Sequence, residues 1–297
     1  MPTLLELPDE LLESILIECD PLEVAQLAQT CRSFQALIYH PKDESLWRNL
    51  YLSLSEFLDD PRKCVTLDGR PRPPIDWRDE LQRVIRARTL ISNHSVGRPG
   101  ELTTVLQTLI HLASHVPILD RSNMNDTLAK VLVYLPARLC NGWLDLVEEQ
   151  QLSPHQRQLV ARIHTMFGLT QHDGSKEALV MSRGYVYNMQ NYTEENLFGP
   201  FLSDGRVNWE HARAIHHVVS MQYLQDNAQY RQADITKMDM LFYQMSLPYT
   251  QITAPAVREL DGPFGSEDWA GINGDWKVSF CFCDHRELLG QHDVLLR

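Results

Sequence analysis

The sequence predicts a mainly α-helical protein with one short β element near its C-terminal end. Three observations predict it. Apolar residues recur three and four positions apart through most of the chain, Asp or Ser followed by Pro repeatedly marks helix starts, and strict alternation of apolar and polar residues enters at residues 276–282.

Of the 297 residues, 43% are hydrophobic and 22% charged, as in an ordinary globular chain. The 27 Lys+Arg against 39 Asp+Glu leave a net charge of −12, which disfavours binding to the phosphate backbone of nucleic acid or to anionic membrane. The first residues lack the basic start and clean apolar core of a signal peptide, and no apolar run reaches a membrane span. The expected location is the cytoplasm or nucleus, where the six dispersed cysteines stay as thiols. The triplets that start at Asn93, Asn125 and Asn191 fit the glycosylation pattern by chance only.

The first element starts at Pro8-Asp9-Glu10, since proline loses no hydrogen bond at the first helical position and acids there meet the positive end of the dipole. Leu11, Leu12, Ile15, Leu16 and Cys19 follow at helical spacing. Asp20-Pro21 starts a second helix through Leu22, Ala25, Leu27 and Ala28. Thr30 is the expected cap of a third, with Phe34, Leu37 and Ile38 on its apolar side, and Asp43 opens a further turn with Leu46, Trp47 and Leu50. Nine acids against three bases fall within residues 1–52, half of the whole net charge. About fifty residues bury too little surface to be comfortably stable alone, yet this segment has more large aliphatic side chains than three short helices need. Some of them are expected to meet a partner.

In Leu7-Pro8-Asp9-Glu10-Leu11-Leu12, Ile15-Leu16, Asp20-Pro21-Leu22, Leu27-Ala28, Cys31-Arg32-Ser33-Phe34 and Leu46-Trp47-Arg48, residues 3–52 resemble an F-box. The resemblance runs through about nine ordered positions, and it departs only in Phe34, where many members have tryptophan. It implies a three-helix module that docks on the Skp-type adaptor of SCF cullin-RING ubiquitin ligases. The residues it assigns to the adaptor are Leu7, Pro8, Leu11, Leu12, Ile15 and Leu16, and those it assigns to the module's own core or rim are Leu27, Cys31, Phe34, Leu46 and Trp47.

Residues 53–75 read as a proline-rich linker, with Pro61, Pro71, Pro73 and Pro74 and no apolar period. Pro71-Arg72-Pro73-Pro74 is a weak candidate for a proline-binding partner. Residues 76–262 read as an irregular helical domain for substrate recognition or scaffolding. Its stripes are Trp77, Leu81, Val84, Ile85 and Ile91, then Leu102, Val105, Leu106, Leu109, Ile110 and Ala113, then Leu128, Val131, Leu132 and Leu135. Ser153-Pro154 caps a fourth helix, with Leu159, Val160, Ile163, Met166 and Phe167 on one side and Gly168 as its stop. A fifth starts at Asn208, with Trp209, Ala212, His216, Val219 and Tyr223 sharing a face and His216 read as an interior histidine.

Residues 263–297 form the β region. Trp276, Val278, Phe280 and Phe282 alternate with Lys277, Ser279, Cys281 and Cys283. The Trp-x-Gly-x-x-Gly-x-Trp pattern that ends at Trp276 resembles the entry of the lipocalin-like C-terminal region of many fungal F-box proteins. More strands follow in such proteins, so the expectation here is a truncated barrel.

Each candidate for chemistry has a plainer reading beside it. Cys281, Cys283 and His285 lack a fourth zinc ligand, and His111 and His115 have metalloprotease spacing without the glutamate base. Arg83, Arg86 and Arg88 fit either a site for an acidic or phosphorylated segment or a solvated helix face. No phosphate loop, nucleophile elbow or dinucleotide fingerprint is present, so neither catalysis by this chain nor a cofactor is expected. The expected partners are the Skp-type adaptor, through it the cullin and RING subunits, and a protein substrate of unknown identity, with no nucleic acid and no membrane. The alternatives are an F-box scaffold or decoy that binds the adaptor without ubiquitination, and a metal-binding protein built on the histidines and C-terminal cysteines.

Overall fold

The computed structural model describes residues 7–40, 44–54, 58–66, 70–117, 119–120, 142–170, 172–231 and 257–258. The fold is mainly helical. Four short helices come first, α1 (Asp9–Ile17), α2 (Pro21–Leu27), α3 (Arg32–Tyr39) and α4 (Ser45–Ser53). Asp20 caps α2 in a capping box: its carboxylate accepts the Leu22 N–H, and the Glu23 side chain accepts the Asp20 N–H. At α3 the structure moves the cap from Thr30 to Cys31, which makes no side-chain capping bond, while the Thr30 hydroxyl turns back to the Leu27 carbonyl.

The described residues of the stretch read as a linker include regular elements. Asp60 caps a 3₁₀ turn at Pro61–Lys63 that runs straight into strand β1 (Cys64–Thr66). This strand pairs antiparallel with β2 (His115–Pro117), with Val65 opposite Val116. Two-residue strands β3 (Leu119–Asp120) and β4 (Val257–Arg258) pair in parallel. The side chain of Arg72 is 4% exposed and is salt-bridged to Glu80, so Pro71-Arg72-Pro73-Pro74 is not a free ligand segment. Arg72 brings to residues 70–75 a buried charge that Glu80 of the next helix compensates, which ties this end of the stretch to α5.

Helix α5 (Trp77–Ser92) packs on α4 and on α6 (Glu101–Ser114). Helix α7 (Trp143–Glu148) buries Trp143 completely, and the indole N–H donates to the Ser95 carbonyl at 2.8 Å. Helix α8 (Pro154–Phe167) lies between α6 and α10 (Trp209–Arg231), and α9 (Lys176–Val186) lies along α10. Ser153 and Gln156 close the capping box of α8, and Gly168 ends it at φ 90°, a left-handed value that only glycine adopts without strain. Because α8 is covered on two sides, it buries Val160, Ala161, Ile163, His164, Thr165, Met166 and Phe167, more than one stripe.

One contiguous apolar core runs from Leu12 and Leu16 through Ile38, Leu50, Leu81 and Leu109 to Ile163 and Phe167. The four N-terminal helices are therefore packed onto the following helices and share their core. The stripe at residues 128–135 and the β region of residues 263–297 lie outside the described residues. None of the described helices is long and apolar enough to cross a membrane.

Candidate functional site

Helix α1 divides its aliphatic residues between two faces. Leu12 and Leu16 turn inward and pack in the core, with α1 held against α4, where the Ser45 hydroxyl donates to Glu13 at 3.3 Å. Leu11 and Ile15, one turn apart, are 52% and 45% exposed, and Leu22 at the start of α2 is 41% exposed. Pro8 is exposed and Leu7 half-buried beside them. Of the six residues that the resemblance assigns to the adaptor, Leu12 and Leu16 are thus buried in the free chain. Leu12 and Leu16 belong to the core, because the i, i+4 pairs 11/15 and 12/16 sit about 100° apart on a helix and α4 covers only one of them.

Of the module's core residues, Phe34, Leu46 and Trp47 are buried, while Leu27 and Cys31 are half-buried at its edge. Helix α5 grips this core from outside. Arg78 donates to the Tyr39 carbonyl at 3.1 Å, and its guanidinium lies over the Tyr39 and Trp47 rings at 5.1 and 5.6 Å. Between α2 and α5 an apolar groove of about 230 Å³ opens beside Leu22, lined by Val24, Ala25, Trp47, Leu81 and Ile85.

The basic patch is spent inside the protein. Arg83 pairs with Asp79 and Glu80, Arg86 with Glu101 and Arg88 with Asp20. Each guanidinium already holds a carboxylate, so the reading as a site for a phosphorylated segment is withdrawn. His111 and His115 are not a metal pair. The rings stack with centroids 4.3 Å apart, and His111 Nε2 faces the Arg72 guanidinium, which can only donate and so occupies the ligand lone pair. Burial and the Arg72 charge lower the His111 pKa to about 4. Among the described residues no group of three or more His, Cys, Asp or Glu is placed to hold a metal, and Cys281, Cys283 and His285 lie outside them.

The second half carries a cluster that hydrophobic patterning did not reveal. His164, 1% exposed, has Nε2 3.0 Å from Glu148 and Nδ1 3.4 Å from Asp173. Arg213 of α10 reaches the same two carboxylates, and Thr170 donates to Asp173 from both its N–H and its hydroxyl. Burial alone pushes Asp173 up, but the charges of His164 and Arg213 outweigh it and bring it to about 2. The same two residues hold Glu148 below its ordinary value despite burial.

The buried face of α10 is His211, Ala214, His217, Val218, Met221 and Leu224, not the face expected from Trp209, Ala212, His216 and Val219, and Val219 is exposed. His216 is only half-buried, and the interior histidines are His211 and His217. A cleft of about 510 Å³ lies beside this cluster among α8, α9 and α10. On the loop between α9 and α10, Leu197 and Phe198 are exposed at left-handed φ values of 56° and 54°. That conformation is strained for bulky residues, and the Phe198 N–H donating to Thr193 and the Asn196 side chain donating to Asn191 hold it in place.

The family model described as F-box-like matches residues 4–53, the span of α1 to α4. No curated protein and no solved structure matches the chain.

Proposed function

We infer that the F-box-like domain at residues 4–53 binds a Skp-type adaptor and so brings this chain into an SCF cullin-RING ubiquitin ligase, where residues 76–262 present a protein substrate for ubiquitination and degradation. The observation that carries this reading is that the helices matched by the family model leave Leu11, Ile15 and Leu22 uncovered by the other described residues. Exposed aliphatic side chains gathered on one module are the usual mark of an interface. Leu7 and Pro8 extend the face, and the groove beside Leu22 adds depth to it.

Recruitment of a substrate is supported by two features, the exposed Leu197-Phe198 tip of the second half and the shared core by which the F-box-like domain packs on α5. A receptor of this kind accelerates transfer by position, since a substrate held at a fixed distance from the transfer machinery reacts at high effective concentration. Ubiquitin transfer itself falls to other subunits, and the site of action is the cytoplasm or nucleus. The Trp269–Trp276 pattern supports a β-rich C-terminal region of the type seen in fungal F-box proteins.

Co-expression with the adaptor and a cullin-RING pair tests this. Co-elution of all four chains is the expected result. A complex that contains the adaptor and never the cullin would leave a scaffold or decoy, and the ligase role would fall.

A further inference from the structure

At the crossing of α9 and α10 the Ser182 hydroxyl lies 2.6 Å from His217 Nδ1, and His217 Nε2 lies 2.9 Å from the backbone carbonyl of Asp173. A carbonyl oxygen can only accept, so the ring proton sits on Nε2 and the Nδ1 lone pair receives the Ser182 O–H. Both residues line the 510 Å³ cleft.

The geometry points to Ser182 and His217 as a nucleophile and general base, forming a site for esters with an apolar acyl chain. The arrangement has the three parts such chemistry needs: a hydroxyl within reach of an imidazole, an imidazole fixed in one tautomer by a third group, and a cleft in which a substrate can meet the hydroxyl. Apolar side chains of Leu152, Val160, Ala178, Met181 and Ala214 wall the cleft and fit the acyl chain. Arg213 lines the same cleft in its pairs with Glu148 and Asp173, and its charge adds positive potential on the side where the oxyanion develops.

The groups around His217 suit the role. Burial lowers its pKa, which keeps the imidazole neutral and able to accept a proton near pH 7. The Asp173 carboxylate opposes that shift and favours the imidazolium once formed, while Arg213 and His164 act in the opposite sense. In the reaction Ser182 Oγ bonds to the ester carbonyl carbon as its proton passes to His217 Nδ1. The bond to the leaving alcohol then breaks, and the alcohol takes that proton. Water, giving its proton to the same nitrogen, cleaves the acyl-serine and releases a carboxylic acid with Ser182 restored. This site rests on no part of the adaptor reading.

The full chain is incubated with a fluorophosphonate probe, and adducts are placed by peptide mass spectrometry. The expected result is one adduct, on Ser182, absent from Ser182→Ala and slowed roughly a hundred-fold in His217→Gln. Its rate should rise with pH to a plateau with a midpoint below about 6.5, the ordinary histidine value. A Ser182 that served only as an interhelical hydrogen bond would give no adduct or a rate equal to that of other serines. Either result in folded native protein overturns the assignment, whatever the variants do.

Discussion

Arg88 of α5 holds both carboxylate oxygens of Asp20, at 2.9 and 2.7 Å, while Asp20 Oδ1 also accepts the Leu22 N–H and so caps α2. One side chain thus starts an F-box helix and fastens it to the helix after the module. The F-box-like domain and the helices after it are consequently held in one orientation, with the shared core from Leu12 to Phe167 beneath them.

Asp20→Ala removes the cap and the ion pair together and should cost about 1–2 kcal/mol, most of it from the cap. Asp20→Asn keeps an oxygen for the cap and should cost under about 1 kcal/mol, since the pair is partly exposed. Urea unfolding of the two variants measures the difference.

The pair between Arg72 and Glu80 is of another kind, because both side chains are almost wholly buried. Arg72→Met strands the Glu80 carboxylate, with Arg83 its remaining cation, and should cost about 3–5 kcal/mol. The double variant Arg72→Met with Glu80→Leu should recover a large part of that loss. Chemical denaturation of the single and double variants gives the comparison, and a double variant no better than the single one would contradict the assignment.

Acid should weaken the fold in two stages. The His111, His211 and His217 pKa values are lowered, chiefly by burial, so as pH falls below about 6.5 the unfolded chain takes up protons first and stability drops toward pH 4. Asp173, at about 2, and Glu148 are also lowered, so their contribution is present above the ordinary carboxylate range and is lost as pH falls from about 4 toward 2. Both stages have the same sign. Thermal melts from pH 7.5 downward should show a continuous fall in Tm, and a Tm that rose between pH 6.5 and 4 would refute the burial assigned to these histidines.

Trp143 is wholly buried and bonded to Ser95. Trp143→Phe should cost about 1–3 kcal/mol by leaving the Ser95 carbonyl unpaired and a small void. Trp143→Ala should cost about 3–5 kcal/mol. Calorimetry on the two variants checks the order.

Much of this molecule is legible in its sequence where a local signal has one meaning. Asp20-Pro21 and Ser153-Pro154 mark helix starts because the side-chain oxygen and the ring each suit one position, and Leu102 to Ala113 shows an apolar stripe that α5 and α8 together bury. The split between Leu11 and Ile15 on one side and Leu12 and Leu16 on the other is not legible in the same way, because it depends on which flank α4 covers. The inner face of α10 is not legible for a related reason. Its inner positions include His211 and His217, whose burial depends on distant acceptors and a hydroxyl at Asp173, Tyr192 and Ser182. The tie between residues 70–75 and α5 is not legible, because one arginine among prolines gives no local sign of its partner at Glu80.

The most direct test of the docking face is co-purification of the adaptor with the native chain and with the Leu11→Asp, Ile15→Asp double variant. Both side chains are exposed, so the variant should keep its circular dichroism spectrum and its Tm. The account predicts a one-to-one complex with the native chain and none with the folded variant. Equal recovery of the adaptor by both, or by neither, would contradict it.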